Sequence, residues 1–473
     1  VYYCTLLSKI ITLLVNKIAS LDPEGVGIEM ESNKPGWCDA LNGMPGILGS
    51  SINESAAVKR LALIILDILE KNDSSFVVSV PEEVFEFFTV VNGLLKEDIA
   101  PLEYWDRSYR AKEIYREKVA FGVSGTEKQI SADEAADFLK NIVRKVDEGL
   151  RKAYNESDGV YYTYFINEVT EYKVIKDENG SEIKDRNGYP YVEAISFRQR
   201  PIPYFLEGPM HVLRMERDPG KARKLYNSIK KTGLYDDKLK MYKVNDNIMD
   251  ETKEIGRQNV FPRGWLENEA VFLHMEYKYL LEILRSGLYE EFFECFKDAL
   301  IPFQDPKVYG RSILENSSFI ASTVHPDKKL HGTGFQSRLT GASSEMLTMW
   351  SFMTSGQKPF FINERNELCL GFKPAIPGWL FTEKSCIVNI SANDETETVE
   401  IPANSFTFRF LGKILTVYHN PGRKDTYSGN CKVTSIGIHG ADGSVTIPGS
   451  VIPMPYSLSI RNGLIHRIDI YLG

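Results

Sequence analysis

One short run concentrates residues able to do chemistry. Lys34-Pro-Gly-Trp-Cys-Asp-Ala-Leu-Asn-Gly-Met-Pro-Gly-Ile-Leu-Gly-Ser-Ser51 sets a lone carboxylate, Asp39, between Trp37 and Asn42. Gly36, Gly43, Pro45, Gly46 and Gly49 make the run an irregular loop, the kind of segment that carries function at a cleft. An indole face can stack on a sugar ring while a nearby acid reaches its glycosidic oxygen. The alternative is a Gly/Pro turn whose Asp39 bonds only neighbouring backbone N–H groups. Ser51-Ile-Asn-Glu54 has the form of a capping box that ends the loop on a helix.

Three later stretches add polar groups. Arg263-Gly-Trp-Leu-Glu-Asn-Glu-Ala-Val-Phe-Leu-His274 enters a helix, with Glu267 and Glu269 near its start and His274 one to two turns inside. Acidic residues suit a helix N-terminus for capping alone, and a lone helical histidine suits a core position as well as a ligand site. Tyr309 to Ser322 is dense in hydroxyls and amides and holds Arg311 and Glu315, fit for a wet sugar cleft or for helix caps. His331 to Glu345 places Thr340, Gly341 and Ser343 at a helix start, where free N–H groups can hold an anion. The spacing is not that of a nucleotide P-loop, so any phosphate bound there is small.

These groups need elements to position them. Leu6, Leu7, Ile10, Ile11, Leu14, Val15 and Ile18 form a helical stripe over Tyr2–Ala19, so the chain is expected to start inside a helix with something missing upstream. The segment Glu54–Glu70 is apolar almost all round and reads as a fully buried inner helix. Pro81–Lys96 is a helix, and 100–127 is a Tyr/Trp-rich helix and loop. Ser131-Ala-Asp-Glu134 is a capping box opening an amphipathic helix to Tyr154. The segment 158–206 is β-rich and reads as a hairpin inserted among helices. Further helices are expected at Pro219–Lys231, Asn268–Leu284, Tyr289–Leu300 and Ala342–Ser355. From about Cys386 short strands alternate with turns, as in a β-sandwich. The expectation is a mainly helical domain over 1–385 followed by a β-sandwich over 386–473.

Totals narrow the classes. With 473 residues the chain should hold more than one core. A formal charge of -8 argues against nucleic-acid binding. The six cysteines form no C-x-x-C pair, which suggests neither a zinc site nor a disulfide framework and points to a reducing, cytoplasmic setting. No apolar run is long enough for a membrane span.

Taken in order, W-x-D-A-x-N-G, E-N-x-x-x-F-x-H, T-G-A-S at a helix start, Ile376-Pro-Gly-Trp379 and a β-rich end resemble the glycoside hydrolase family 94 phosphorylases, which include the cellobiose and 1,2-β-oligoglucan enzymes. The resemblance implies the second part of an (α/α)6 barrel plus a C-terminal β-sandwich. It implies inverting phosphorolysis of β-linked gluco-oligosaccharides to α-glucose 1-phosphate, without cofactor or metal, inorganic phosphate being a substrate. By motif position Asp39 would be the general acid, and His274, Thr340 and Gly341 would hold phosphate. Trp37, Asn42, Glu267, Arg311 and Glu315 would line the sugar site. The logic is sound chemically: phosphate is already an anionic nucleophile, so one acid suffices, whereas an inverting hydrolase needs a second carboxylate to activate water. Glu207, Glu267 and Glu269 are the candidates for that second group. The sequence departs from the family in two ways. The first part of the barrel, with a phosphate-binding arginine, is absent, leaving Arg263, Arg311 and Arg338 as local candidates. The loop reads Trp-Cys-Asp-Ala where cellobiose phosphorylase reads Trp-Asn-Asp-Gly, which with the 158–206 insert favours the 1,2-β-oligoglucan branch. The expected partners are therefore oligosaccharide, phosphate, a missing N-terminal half or a separate chain supplying it, and in one arrangement a second copy as a homodimer. A non-catalytic subunit and a hydrolase are the competing readings.

Overall fold

The computed structural model describes all residues except 1, 33, 35, 72–75, 217, 338–339, 393–394 and 442, together with the side chains of 337, 340, 391–392 and 395–397. It divides the chain into two units, 1–286 with 297–339, and 287–296 with 340–473.

The first unit is built on helices. Ala132–Ala153 shows why: Ala135, Phe138, Leu139, Ile142, Val146 and Leu150 recur at helical spacing, and all are buried. Ser131 caps it through the Glu134 N–H (3.2 Å) while Glu134 bonds back, as the motif required. This helix packs with Leu6–Ile18, Ile52–Lys71, Glu82–Lys96 and Pro101–Val119 around one core that includes Ile18, Ile65, Phe88, Tyr104 and Phe138. The first helix starts later than its stripe suggested: Thr5 accepts the Ser8 N–H (3.1 Å), so Leu6 opens it.

The helix Ile52–Lys71 departs from expectation twice. It has no capping box at Ser51, because Ser50 and Ser51 form a short strand between Ile28–Glu29 and Tyr164–Val174, and Glu54 pairs with Lys17. Nor is it buried all round: Leu63, Ile64 and Ile68 are exposed while Ile52, Ala62 and Ile65 are covered. Composition alone cannot say which side of an apolar helix finds neighbours.

The β insert is a hairpin, Tyr164–Val174 with Val192–Pro201, completing a four-stranded antiparallel sheet with Ser50–Ser51 and Ile28–Glu29. Its base lies over a small second core of Cys38, Leu41, Met44, Tyr164, Ile166, Ile202, Phe205, Ile248 and Ile255. That core fastens the Asp39 turn to the hairpin. Helices Glu207–Met215, Pro219–Ile229 and Leu273–Arg285 and a three-stranded sheet of Val271–Phe272, Ser317–Ile320 and Gly334–Ser337 belong to the same unit. The latter helix starts at Leu273 rather than Asn268, since Leu266 (φ 52) and Glu269 (φ 54) are left-handed and Val271–Phe272 is extended.

The second unit begins well before residue 386, the point where the sequence turns visibly β-rich. Strands Phe360–Ile362 and Leu368–Gly371 pair with each other and with Val451–Ile452. Their core residues, Leu370 and Phe372 among them, pack with Phe406, Phe408, Ile436, Ile468 and Ile470 of a five-stranded sheet. That sheet runs Ser405–Phe410, Ile414–His419, Ile465–Leu472, Val433–Gly440, Gly443–Pro448. Not every late segment is a strand: Tyr456–Arg461 is a helix, and the central strand follows it because Asn462-Gly463 turns the chain between them (Gly463 φ 75). Among the described residues no helix is long and apolar enough to cross a membrane.

Candidate functional site

Asp39 opens a single 3-10 turn, Asp39–Leu41, and its side chain is exposed. Everything around it is fastened. Leu41 and Cys38 are buried in the small core beneath. Glu267 accepts hydrogen bonds from the Ala40 N–H (2.9 Å) and the Cys38 thiol (3.1 Å). Gln258 in turn donates to the Glu267 carbonyl. Asn42 accepts the Arg257 N–H (3.1 Å), and the Gly43 N–H donates to the Ile255 carbonyl (3.1 Å). Gly43 must be glycine for a steric reason: an added Cβ would lie 1.9 Å from the Glu254 carbonyl oxygen. The turn therefore holds one free-standing carboxyl on a rigid base.

Cys38 is no nucleophile here. Burial, then the adjacent Glu267 charge, push its thiol well above the usual range.

Trp37 is half-buried beside the turn. Its ring lies 4.7 Å from that of Phe272 and 5.6 Å, edge-on, from that of His274, and the Lys278 ammonium sits 5.3 Å from its centroid. His274 is thus brought beside the Asp39 turn, at the second residue of its helix rather than deep within it. The Val271–Phe272 strand explains the shift.

A cavity of about 530 Å³ opens along Trp37. Its inner wall is formed by Asn53, Tyr164, Glu207, His211 and Lys278, and Glu29 lies further along. The Tyr164 hydroxyl donates to Glu207 at 2.5 Å. Burial lifts the Glu207 acid above the glutamate range, although the Tyr164 bond opposes this. Burial also depresses His211 to about 3, helped by Arg214 and Lys278, so its imidazole is neutral. Glu29 is raised to about 7 by burial against its bond from the Trp105 indole (2.6 Å).

The other expected site residues divide. Glu269 is saturated by Lys243 (3.0 Å) and Arg263 and is 1% exposed. Burial works against its charge, but these two cations keep the acid below the ordinary range. Arg263 is thereby committed to an ion pair. Arg311 and Glu315 pair locally at 3.3 Å beside the Tyr309 and Ser317 hydroxyls and do not line the Trp37 cavity. Asp39 and His274 border Trp37 without being among the cavity's lining residues. Thr340 and Gly341 open the helix Thr340–Ser355 in the second unit. The Thr340 side chain, and Arg338, lie outside the described residues. Among the described residues no group of three or more His, Cys, Asp or Glu is arranged to hold a metal ion.

Sequence reasoning passed over Tyr164, Asn53 and His211, and treated Glu207 only as a possible base. One signal was legible: Glu207 and His211 stand four apart in a helix that begins at Glu207.

No protein-family model matches the sequence, and no curated protein matches it. One solved structure that aligns with it is described as cellobiose 2-epimerase from Bacillus thermoamylovorans B4167. The alignment covers 72% of this chain and 99% of that one, at 11% identity and a TM-score of 0.18. A superposition that loose defines no shared fold and carries no argument.

Proposed function

We propose that the chain carries the acid and sugar-binding part of an inverting phosphorylase acting on β-linked gluco-oligosaccharides, its helical unit being part of an (α/α)6 barrel. Asp39 protonates the leaving glycosidic oxygen, Trp37 stacks on the sugar, and phosphate attacks the anomeric carbon from the opposite face to give α-glucose 1-phosphate. His274 is assigned to the phosphate, and the preference for 1,2-β-linked chains rests on the loop and the insert.

The observation that carries this reading is the fate of the carboxylates near Asp39. An inverting hydrolase needs an ionised partner to activate water. Glu267 uses one carboxylate oxygen to hold the Ala40 N–H and the Cys38 thiol. Glu269 is locked between two cations. Burial shifts the Glu207 acid above the ordinary glutamate range. An exposed Asp39 whose candidate partners are engaged or shifted toward the neutral form in this way suits a reaction whose nucleophile arrives as an anion.

The test incubates the protein with β-1,2- and β-1,4-linked gluco-oligosaccharides, with and without inorganic phosphate. The expected product is α-glucose 1-phosphate, formed only when phosphate is present. Release of free glucose in phosphate-free buffer, with no sugar phosphate under either condition, overturns the proposal.

A further inference from the structure

Glu207 and His211 lie one turn apart on the helix Glu207–Met215, and both line the Trp37 cavity. The His211 Nε2 and Glu207 Oε1 atoms are 4.0 Å apart, too far to bond each other. One hydroxyl oxygen can bridge that gap, since two hydrogen bonds of about 2.8 Å reach across it. The other Glu207 oxygen is fixed by the Tyr164 hydroxyl at 2.5 Å, so the carboxyl cannot swing to close the gap itself. Asn53 lines the same cavity, is 6% exposed, and has a side-chain oxygen with no hydrogen-bond partner. Buried polar atoms are rarely left so, and a ligand hydroxyl is a suitable donor.

Charge points to the class of ligand. Several charged groups elsewhere along the cavity pair with one another, Lys17 with Glu54 and Arg116 and Lys34 with Glu31, while the Lys278 ammonium lies over the Trp37 ring. By contrast, the His211 imidazole, depressed to about 3, is neutral, and burial shifts Glu207 toward its neutral form. A hydrogen-bonding pair of this kind beside an indole wall suits a polyhydroxylated ring. The size fits as well, since about 530 Å³ lies within the ordinary range for small-molecule sites.

We propose that Glu207 and His211, backed by Tyr164 and Asn53, clamp one hydroxyl of an uncharged sugar ring stacked on Trp37, forming a specificity-determining glycosyl subsite. The clamp rests on the carbohydrate part of the function proposed above and is independent of whether the nucleophile is phosphate or water. Glu207 here is a hydrogen-bonding acid, not a base.

Calorimetric titration of the Asp39→Asn protein with a β-linked gluco-trisaccharide, in phosphate-free buffer, reads binding without turnover. Adding His211→Ala or Glu207→Ala should weaken binding about tenfold or more, while Glu207→Gln, still neutral and able to bridge, should stay within about threefold. In the Asp39→Asn parent one monodeoxy analogue of the sugar should lose about tenfold, and the same analogue should lose nothing further once His211→Ala is present. Thermal melts report folding of each variant. Should His211→Ala fail to fold, the analogue series on the parent decides alone, and equal affinity for every monodeoxy sugar overturns the clamp. Unchanged affinity in folded His211→Ala and Glu207→Ala proteins overturns the clamp and leaves the carbohydrate reading standing. Absence of sugar binding with and without phosphate overturns both. Inorganic phosphate binding that is lost in Glu207→Ala overturns the assignment to a neutral ligand.

Discussion

The Glu267 carboxylate sits 2.9 Å from the Ala40 amide nitrogen, so the turn that presents Asp39 is fastened by a residue 227 positions later in the chain. The same oxygen takes the Cys38 thiol. Glu267 positions the turn in this arrangement, and Asp39 stands exposed on it.

Glu267→Ala removes the acceptor of both donors and leaves the Ala40 N–H buried and unpartnered. The stability cost should be about 1–3 kcal/mol, read by denaturant melts. With the sugar contacts on Trp37 intact, kcat should fall by about tenfold or more while KM changes little. A fall in kcat and a rise in KM of equal size would point to general loosening instead.

Asp39→Asn keeps the turn and deletes the proton. Turnover of an oligosaccharide should drop by about 10²–10⁴, the usual worth of a general acid. A nitrophenyl β-glucoside, whose leaving group needs no protonation, should lose far less. Equal losses on both substrates would remove Asp39 from the acid role.

Gly43→Ala should be among the costliest substitutions in the first unit, because the new methyl meets the Glu254 backbone at 1.9 Å. Overpacking of this kind costs about 1–3 kcal/mol, and here it also displaces the Asn42–Arg257 anchor. Gly46→Ala, with nothing within 4 Å of its added carbon, is the control and should melt like the parent.

Glu276 gives a pH signature in the first unit. It is fully buried, its carboxyl accepts the Tyr242 N–H (2.8 Å), and burial raises its acid to about 8. A folded-state value above the unfolded one means the group favours the fold while protonated in both states. That contribution should be present below the ordinary glutamate range and drain away as pH rises toward 8. Glu276→Gln should flatten this part of the stability–pH curve. An identical slope in parent and variant between pH 5 and 8 would contradict the assignment.

Asp469 gives the opposite sign in the second unit. Burial alone would lift its acid, but His419 (2.7 Å) and Arg467 (2.7 Å), joined by His439 (3.1 Å), outweigh that and hold it low. Its stabilisation should be present above the ordinary aspartate range and be lost as pH falls below it. The melting-temperature gap between parent and Asp469→Asn should therefore be open at pH 6–7 and close in acid. A gap that widens on acidification would show that the carboxylate is not the stabilising form.

What could be read directly from the residues was local. The Ser131–Glu134 box needs only four consecutive residues, and the buried stripe from Ala135 to Leu150 repeats every turn. The glycines and prolines around Asp39 announced a loop, and Trp37 announced a wall. The Ser51 box has the same letters as the Ser131 one but lost to a strand contact with Tyr164, a partner more than a hundred residues away. Likewise the apolar helix Ile52–Lys71 carried no sign of which face would be left exposed.

The sequence by itself determined which chemistry was on hand: an acid between an indole and an amide, a histidine after an E-N pair, hydroxyls at a helix start. Only the tertiary structure decided how the carboxyls were employed. Glu207, Glu267 and Glu269 look alike in the chain, yet burial beside Tyr164 shifts one toward its neutral form, one holds the Asp39 turn, and one is locked by Lys243 and Arg263. The reason is physical. A carboxylate's charge and availability depend on desolvation and on neighbours within a few ångströms, and those neighbours are brought together by folding from residues far apart in the chain.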